Sequence, residues 1–317
     1  MFVLTLLLLG AQYARAPRQK PLPAWGWVGL AIILVAEFFL FRHSQWVSIY
    51  FTPLAWTGYL LLIDGLVWSL RGQSCLSSTP RDFLALAFWS FPLWLVFEAY
   101  NWHLKNWTYT GLPDNLFLQG LGYVWSFATI WPAIFETADF LQAIGFFAPQ
   151  GKFRLAFPRA AQVCMVILGL LSVSVPVLLP MRVGQYLFGP VWVGFIFLLD
   201  PINDRWGGRS LVRELGIGRT STLYSFLASG LVCGIIWEFW NNWAAARWLY
   251  VFPIWQEWKI FEMPAPGFLG FPPFALECFV MYEFLRGARG QLLGFRRGPE
   301  MQVAGSQLRG RFMNRPD

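Results

Sequence analysis

Long apolar segments, each close to the length that crosses a bilayer, constrain this chain more than any other feature. Eight of them lie at 26–42, 47–70, 83–103, 116–145, 160–180, 184–202, 221–243 and 266–285. A helix needs about 20 mainly apolar residues to cross the hydrocarbon core of a membrane. Charged residues form 13% of the chain, against roughly 25% in soluble domains, which leaves too little polar surface for a water-soluble globule. The sequence therefore predicts an all-α fold, a polytopic transmembrane helical bundle.

A shorter apolar stretch at 1–13 precedes these segments. It lacks the positively charged region that opens a signal peptide. Three interpretations stand: a ninth helix, a re-entrant start, or a poorly chosen start codon. The predicted bundle therefore has eight to nine spans.

Basic residues concentrate in every second connection between the predicted spans. One set of connections, together with the C-terminal tail, holds 19 of the 24 Lys and Arg residues. Because short cytoplasmic loops carry an excess of Lys and Arg, that side is predicted to be cytoplasmic, and the C-terminus with it. The chain is then a multi-pass protein of the cell membrane. The net charge of +7 comes without a nucleic-acid-binding motif, so no nucleic-acid partner is predicted.

Short polar and aromatic patterns recur in the same order along the chain. Their offsets drift only from 136 to 141 residues, and the small insertions fall in loops. Such drift is typical of a duplicated unit. The matched segments are Trp56-x-Gly58 to Asp64 with Trp192-x-Gly194 to Asp200, Gly72-Gln73-Ser74 with Gly208-Arg209-Ser210, Phe97-Glu98-Ala99-Tyr100-Asn101 with Trp237-Glu238-Phe239-Trp240-Asn241, Trp107-Thr108-Tyr109 with Trp248-Leu249-Tyr250, and Pro132 to Glu136 with Pro273 to Glu277.

An even number of spans per unit gives both units the same orientation in the membrane. The sequence thus predicts two tandem four-helix repeats related by an axis along the membrane normal, with sites near their interface. The predicted divisions are an N-terminal segment at 1–25, repeat 1 at 26–146, repeat 2 at 160–286 and a basic cytoplasmic tail at 287–317.

Acidic residues recur at equivalent positions inside the predicted spans. Ionisable side chains are costly within a membrane and suggest a function by default. In each repeat an asparagine follows a glutamate by three residues, so the two side chains share one helix face. Tryptophans surround both pairs. The candidate site residues are Glu277, Glu136, Glu238, Glu98, Asn101, Asn241, Trp237, Trp240, Asp64 and Asp200.

Structural roles compete with this interpretation. Asp64 and Asp200 lie near span ends, where an acid also serves a helix end or a turn. The Glu/Asn pairs can hydrogen-bond between helices, and Trp and Tyr are typical of membrane interfaces. Glu136 and Glu277 each follow a proline inside a span, a break that is typical of cavity-lining helices. The cysteines and histidines show no ligand spacing, so no metal site is predicted.

The stretch from Trp237 to Glu277 resembles a known membrane family. It contains Trp237-Glu238-x2-Asn241, then Trp248-Leu249-Tyr250, and then Gly270-Phe271-Pro272-Pro273-x3-Glu277. These elements are similar to the repeated motifs of the small integral-membrane lycopene cyclase domains of carotenoid biosynthesis and, more distantly, of carotenoid hydratases.

The resemblance implies that a buried carboxylic acid protonates a polyene double bond. Glu277 or Glu136 would be the acid, and Glu238 and Glu98 would be cation stabilisers or proton acceptors. Aromatic walls, Trp237 and Trp240 among them, would hold the carbocation by cation–π attraction. Asn101, Asn241, Asp64 and Asp200 would bind substrate. This chemistry implies no cofactor.

Three functions follow from these observations. The first is an isoprenoid- or carotenoid-modifying enzyme, a cyclase- or hydratase-like isomerase or lyase. The second is a transporter or proton-coupled carrier, because parallel repeats with buried acids also suit carriers. The third is a non-catalytic subunit that binds lipid or pigment in a membrane complex. The expected partners are a membrane lipid or isoprenoid ligand, and either a second copy of the chain or other members of a membrane complex.

Overall fold

A computed structural model describes residues 1–147 and 154–292, which fold mainly into α-helices. In chain order the helices are α1 (Phe2–Arg15), α2 (Ala24–Phe41), α3 (Gln45–Ile49), α4 (Phe51–Arg71), α5 (Cys75–Ser78), α6 (Pro80–Leu104), α7 (Leu116–Ala128), α8 (Ile130–Ala143), α9 (Arg159–Leu178), α10 (Met181–Gly184), α11 (Phe188–Arg205), α12 (Leu211–Gly216), α13 (Ser221–Trp243) and α14 (Phe271–Leu292). A 3₁₀ segment, Ala265–Gly270, leads into α14.

Two short antiparallel ribbons lie in the connections between helices. Strand β1 (Trp107–Thr110) pairs with β2 (Arg247–Tyr250), and β3 (Lys259–Ile260) pairs with β4 (Met263–Pro264). The sequence did not predict these strands, because loops rich in Trp, Tyr and Pro are equally typical of a membrane interface. The β1–β2 ribbon follows the C-terminal ends of α6 and α13, and we call that end of the bundle the ribbon end.

Six segments of the described chain are long and apolar enough to cross a membrane. They are Ala24–Phe41, Phe51–Arg71, Pro80–Leu104, Arg159–Leu178, Ser221–Trp243 and Ala265–Leu292. Each coincides with one of the predicted spans. By the length and composition of its helices the protein is a multi-pass, all-α membrane protein.

The two other predicted spans contain shorter or more charged helices. The segment 116–145 holds α7 and α8, of 13 and 14 residues, which meet at Thr129. Helix α11 has 18 residues, and its last six include Asp200, Asp204 and Arg205. The described part of helix α14 reaches Leu292, past the predicted boundary at 286. The rest of the predicted tail, 293–317, lies outside the described residues.

The N-terminal stretch forms α1, a helix of 14 residues. At 1.5 Å per residue its length is about 21 Å. The Phe2 ring stacks on Phe239 of α13 with 3.7 Å between centroids. At the other end of α1 the Tyr13 hydroxyl lies 2.8 Å from Ser69 Oγ of α4. Helix α1 therefore runs along the bundle from the ribbon end towards the opposite end.

Burial separates a central group of spans from a peripheral group. Within the apolar windows of α4, α13 and α14, 67%, 61% and 67% of the residues are buried. The corresponding values for α2, α6 and α9 are 22%, 22% and 17%. The peripheral helices keep apolar side chains on their outer faces, as lipid-facing helices do.

Glycines let two helix pairs approach until their backbones touch. A Cβ atom on Gly29 of α2 would lie 2.5 Å from the Gly58 carbonyl oxygen of α4. In the second half of the chain, a Cβ atom on Gly169 of α9 would lie 2.8 Å from the Gly194 oxygen of α11. Small residues at such crossings are the usual way for membrane helices to gain close packing.

The two halves of the chain, 26–146 and 160–286, meet along α8 and α13. Gln142 Nε2 donates to Ser225 Oγ at 2.8 Å, and Trp131 Nε1 donates to the Cys278 carbonyl of α14 at 2.9 Å. The β1–β2 ribbon joins the halves a second time at the ribbon end. A space walled by both halves lies beneath that ribbon.

Candidate functional site

A cavity lies between the two halves at the ribbon end. It contains about 1180 Å³ not filled by atoms, part of it open to the outside. Small-molecule sites are typically concave and mostly apolar with a few polar groups, and the lining of this space fits that description. Aromatic residues form most of its wall: Tyr50, Trp56, Trp94, Phe97, Trp107, Tyr109, Tyr123, Phe127, Trp192, Trp237, Trp248, Tyr250, Phe271 and Phe274.

The wall is apolar, and aromatic rings from the two halves pack against one another in it. Trp94 contacts Trp237 with 5.8 Å between ring centroids, and Trp56 contacts Trp237 at 5.9 Å. Phe274 packs against Trp94 at 5.9 Å and against Trp192 at 6.3 Å. Aromatic faces carry partial negative charge and attract cations. This cavity can therefore hold an apolar molecule and stabilise positive charge that develops on it.

The β1–β2 ribbon forms one side of the cavity. Trp107 pairs with Tyr250, and Tyr109 pairs with Trp248. Alternate residues of a strand point to the same face, so these four rings lie together, and all four line the cavity. The reciprocal pairing brings a Trp and a Tyr from each half to one face.

Asn101 and Asn241 hold the two strands in place. Asn101 Nδ2 donates to the Trp107 carbonyl at 2.9 Å, and its Oδ1 accepts from the Asn106 and Trp107 backbone N–H groups at 2.8 and 3.0 Å. Asn241 Nδ2 donates to the Trp248 carbonyl at 2.9 Å, and its Oδ1 accepts from the Trp248 N–H at 3.0 Å. Both amides are buried and positioned on the strands, and neither lines the cavity.

Glu98 lies behind the first pair of aromatic residues. Its Oε1 accepts from the Tyr109 hydroxyl at 2.5 Å, from Trp94 Nε1 at 2.8 Å and from Trp107 Nε1 at 3.3 Å. All three donors line the cavity. Hydrogen bonds from these three lining side chains therefore connect the Glu98 carboxyl group to the cavity.

Glu238 lies behind the second pair in a related arrangement. The Tyr250 hydroxyl donates to Glu238 Oε1 at 2.8 Å, and Trp248 Nε1 donates to the Tyr250 oxygen at 3.0 Å. Glu238 is fully buried, and its Oε2 has no hydrogen-bond partner in the described chain. An unpartnered buried carboxyl oxygen is costly and calls for an explanation.

The two tyrosine hydroxyls are held in the protonated form. Burial, with the adjacent Glu98, raises the pKa of Tyr109 well above its usual value. Burial, with the adjacent Glu238, does the same for the pKa of Tyr250. Both hydroxyls therefore remain proton donors at neutral pH.

Glu277 and Glu136 lie away from the cavity wall. Glu277 Oε1 accepts from the Phe195 N–H at 3.1 Å, and its Oε2 has no partner within the described residues. It follows Phe274, a lining residue, by one helical turn, so it lies beneath the aromatic floor. Glu136 is 2% exposed and lies beside Cys75 and Asp64, at the end of the bundle opposite the ribbon. The structure does not bring these two acids together with Glu98 and Glu238.

Asp64 and Asp200 bind the first turns of short helices at the end of the bundle opposite the ribbon. Asp200 accepts from the Leu211 and Val212 backbone N–H groups, both at 2.8 Å. Asp64 accepts from the Leu76 N–H at 2.9 Å and from Ser74 Oγ at 2.8 Å. Backbone N–H groups at the start of a helix lack partners within the helix, and each aspartate supplies one. Neither aspartate lines the cavity.

The predicted tryptophans separate into two roles. Trp237 lines the cavity. Trp240 packs edge-on against Trp56 at 5.2 Å and donates to Glu37 Oε1 at 3.3 Å, outside the lining. Tyr109 and Tyr250 were not among the predicted site residues. Both belong to the recurring Trp-x-Tyr pattern, which was the sequence signal that could have identified them.

No group of His, Cys, Asp and Glu within 1–147 and 154–292 is arranged to hold a metal ion. No protein-family model matches this chain, and no curated protein and no solved structure match it either.

Proposed function

We propose that this protein is a membrane enzyme that modifies an isoprenoid or carotenoid by acid–base chemistry, as a cyclase or a hydratase does. One observation carries the proposal: two carboxyl–tyrosine pairs, Glu98–Tyr109 and Glu238–Tyr250, lie at the wall of one aromatic cavity. Proton donors beside aromatic faces are what a reaction through a carbocation requires.

The chemistry proceeds in two steps. A tyrosine hydroxyl gives its proton to one carbon of a substrate double bond, and the carboxyl behind it replaces that proton, which leaves a carbocation. The cation is held against the aromatic rings, Trp94 and Trp237 among them. It then either returns a proton to the pair that supplied one or takes up water, which gives a proton to that pair. The pair has then lost and regained one proton, so the enzyme returns to its starting state without a redox partner.

This proposal moves the acid role from the pair favoured by the resemblance. Glu277 and Glu136 were expected to supply the proton, but a proton on either would have to cross packed side chains to reach the cavity. Glu98 and Glu238, expected as cation stabilisers or proton acceptors, have direct hydrogen bonds to lining tyrosines. We therefore assign the acid–base work to those two pairs.

The experiment follows solvent protons into the product. An acyclic carotenoid such as lycopene is incorporated into liposomes with the purified protein in D₂O. Protonation by the site predicts a cyclised or hydrated product that carries about one carbon-bound deuterium from solvent. Glu238→Gln and Tyr250→Phe should abolish that product, whereas the matched change Glu257→Gln in the exposed loop should not. A protein that binds the carotenoid and leaves it unlabelled and unchanged contradicts the enzyme proposal.

A non-catalytic pigment- or lipid-binding subunit is the second candidate. The observation that favours it is the three donors on Glu98 Oε1, because a carboxyl so fully engaged also serves to fix a cavity wall. Retention of the carotenoid without any reaction is the result that this candidate predicts. The carrier hypothesis stays a prediction from the repeat pattern.

We also propose that the two halves are duplicated four-span units in the same orientation, with eight to nine spans in all and the ribbon end facing away from the cytoplasm. The duplication is supported by three features that play the same role in each half: a strand-binding asparagine (Asn101 and Asn241), an aspartate at a short helix (Asp64 and Asp200), and a glycine crossing. The excess of Lys and Arg in the opposite connections supports the orientation, with the C-terminus in the cytoplasm of a cell-membrane protein.

A further inference from the structure

Glu98 lies between two spaces rather than one. On the side away from the aromatic cavity, an open notch is lined by Leu95, Glu98, Ala99, Trp102, Lys105 and Thr108. Trp107 borders both the notch and the cavity. Lys105 and the exposed Trp102, which is 80% accessible, place the notch at the ribbon end of α6, and such side chains are typical of a membrane–water interface. Glu98 itself is partly exposed.

At the corresponding point of the second half, aromatic rings pack beside Glu238. Phe239 follows Glu238 where Ala99 follows Glu98. The Phe239 ring is stacked on Phe2 of α1 at 3.7 Å and packs against Phe261 at 5.8 Å. These rings cover the position that the notch occupies in the first half, and Glu238 has 0% of its surface exposed.

We propose that the two carboxyl–tyrosine pairs are not equivalent: Glu98 exchanges protons with the outer aqueous phase through the notch, and Glu238 is sealed from it. The use of those protons in catalysis rests on the proposed function. In that use, a water-derived proton on Glu98 passes to Tyr109 as Tyr109 gives its own proton to the substrate. The Glu238–Tyr250 pair, shielded from bulk water, is the one that contacts the cation without quenching it.

Carboxyl labelling tests the difference in access without any substrate. The purified protein in lipid nanodiscs is treated with a water-soluble carbodiimide and an amine, and the modified peptides are quantified by mass spectrometry. We expect Glu98 to be labelled about tenfold or more faster than Glu238, because labelling of a sealed group requires a local opening of the fold. Equal rates, or faster labelling of Glu238, would overturn the proposal.

Two substitutions that swap the residue types of the two halves at positions 99 and 239 make the test specific. Ala99→Phe places in the first half the side chain that closes the second, and should slow Glu98 labelling several-fold towards the Glu238 rate. Phe239→Ala removes the cover and should raise Glu238 labelling. Ala99→Leu serves if the phenylalanine variant does not fold. Unchanged Glu98 labelling in a folded Ala99 variant would show that the notch is not the route. Because no isoprenoid is present, these results stand whether or not the proposed reaction occurs.

Discussion

At the scale of residues, the two carboxyl–tyrosine pairs differ in how much each carboxyl depends on its tyrosine. Glu98 Oε1 keeps the Trp94 and Trp107 indole donors when Tyr109 is removed. Glu238 is fully buried, and its Oε2 already lacks a partner. The Tyr250 hydroxyl also accepts the Trp248 indole proton. Loss of one hydroxyl therefore leaves more unsatisfied polar groups in the second half than in the first.

Tyr250→Phe should destabilise the protein more than Tyr109→Phe does. Removing one partner of a buried polar group costs about 1–3 kcal/mol, and we expect Tyr250→Phe to fall in that range. Tyr109→Phe should cost about 1 kcal/mol or less, because two donors remain on Glu98. Thermal unfolding in the same detergent measures both. Equal losses, or a larger loss for Tyr109→Phe, would contradict the hydrogen-bond assignment.

Residue chemistry was only partly predictable from the sequence. The acids were chosen because they recur in both halves and because an ionisable side chain is costly within a membrane. Glu98, Glu238 and Trp237 do lie at or directly behind the cavity wall. Asp200 illustrates the limit, because its partners are N–H groups 11 and 12 residues further along the chain. Only the turn after α11 brings them to the carboxylate, and periodicity does not reveal that turn.

At the scale of elements, the bundle depends on glycines where helices cross. A Cβ atom on Gly169 would lie 2.3 Å from the Leu198 backbone nitrogen. The obstacle is backbone rather than the end of a flexible side chain, so α9 and α11 would have to move apart. Gly120 in α7 has no neighbouring atom within 4 Å of such a Cβ and offers a matched control.

Gly169→Ala should destabilise the α9–α11 pair, whereas Gly120→Ala should be neutral or slightly stabilising. Overpacking of a tight contact typically costs about 1–3 kcal/mol, while glycine within a helix is less favourable than alanine by roughly 0.5–1 kcal/mol. The yield of monodisperse protein and its unfolding temperature in detergent report the difference. A Gly169→Ala variant as stable as the parent would show that α9 and α11 do not cross in backbone contact.

The β1–β2 ribbon gives a direct test of how the halves are joined. Thr108 and Leu249 are partners in its register, and opposed residues of antiparallel strands have Cα atoms about 4.5–5.5 Å apart. A disulfide accepts that separation. Thr108→Cys combined with Leu249→Cys should therefore form a cross-link under mild oxidation, detected by peptide mapping. Thr108→Cys with Ala246→Cys, three residues out of register, should not; the reverse result would exclude this pairing.

Element boundaries followed hydropathy closely where a helix is continuous and less closely where it breaks. The spans at α2, α4, α6, α9 and α13 matched predicted segments within a few residues. The break at Thr129 was missed because apolar residues continue on both sides of it. Hydropathy measures the preference for lipid and does not report where a chain changes direction.

At the scale of the whole molecule, both halves are needed to enclose the cavity. The first half supplies Trp56 and Trp94, the second supplies Trp192 and Trp237, and the ribbon contributes from both. The repeated pattern in the sequence predicts a site near the interface of the halves, and the cavity lined by both halves is our candidate for it. The pairing of the two ribbon strands, which closes one side, could not be predicted because the strands are separated by more than a hundred residues.

The identity of the molecule held in the cavity is the most direct test of the central claim. The intact protein is purified in mild detergent from its own host membrane, its visible spectrum is recorded, and bound lipids are identified by mass spectrometry. We predict a stoichiometric carotenoid or other isoprenoid that is lost from Trp237→Ala, a lining residue, and kept by Trp243→Ala, an exposed tryptophan outside the lining. Bulk phospholipid alone, in the parent and in both variants, would contradict an isoprenoid site.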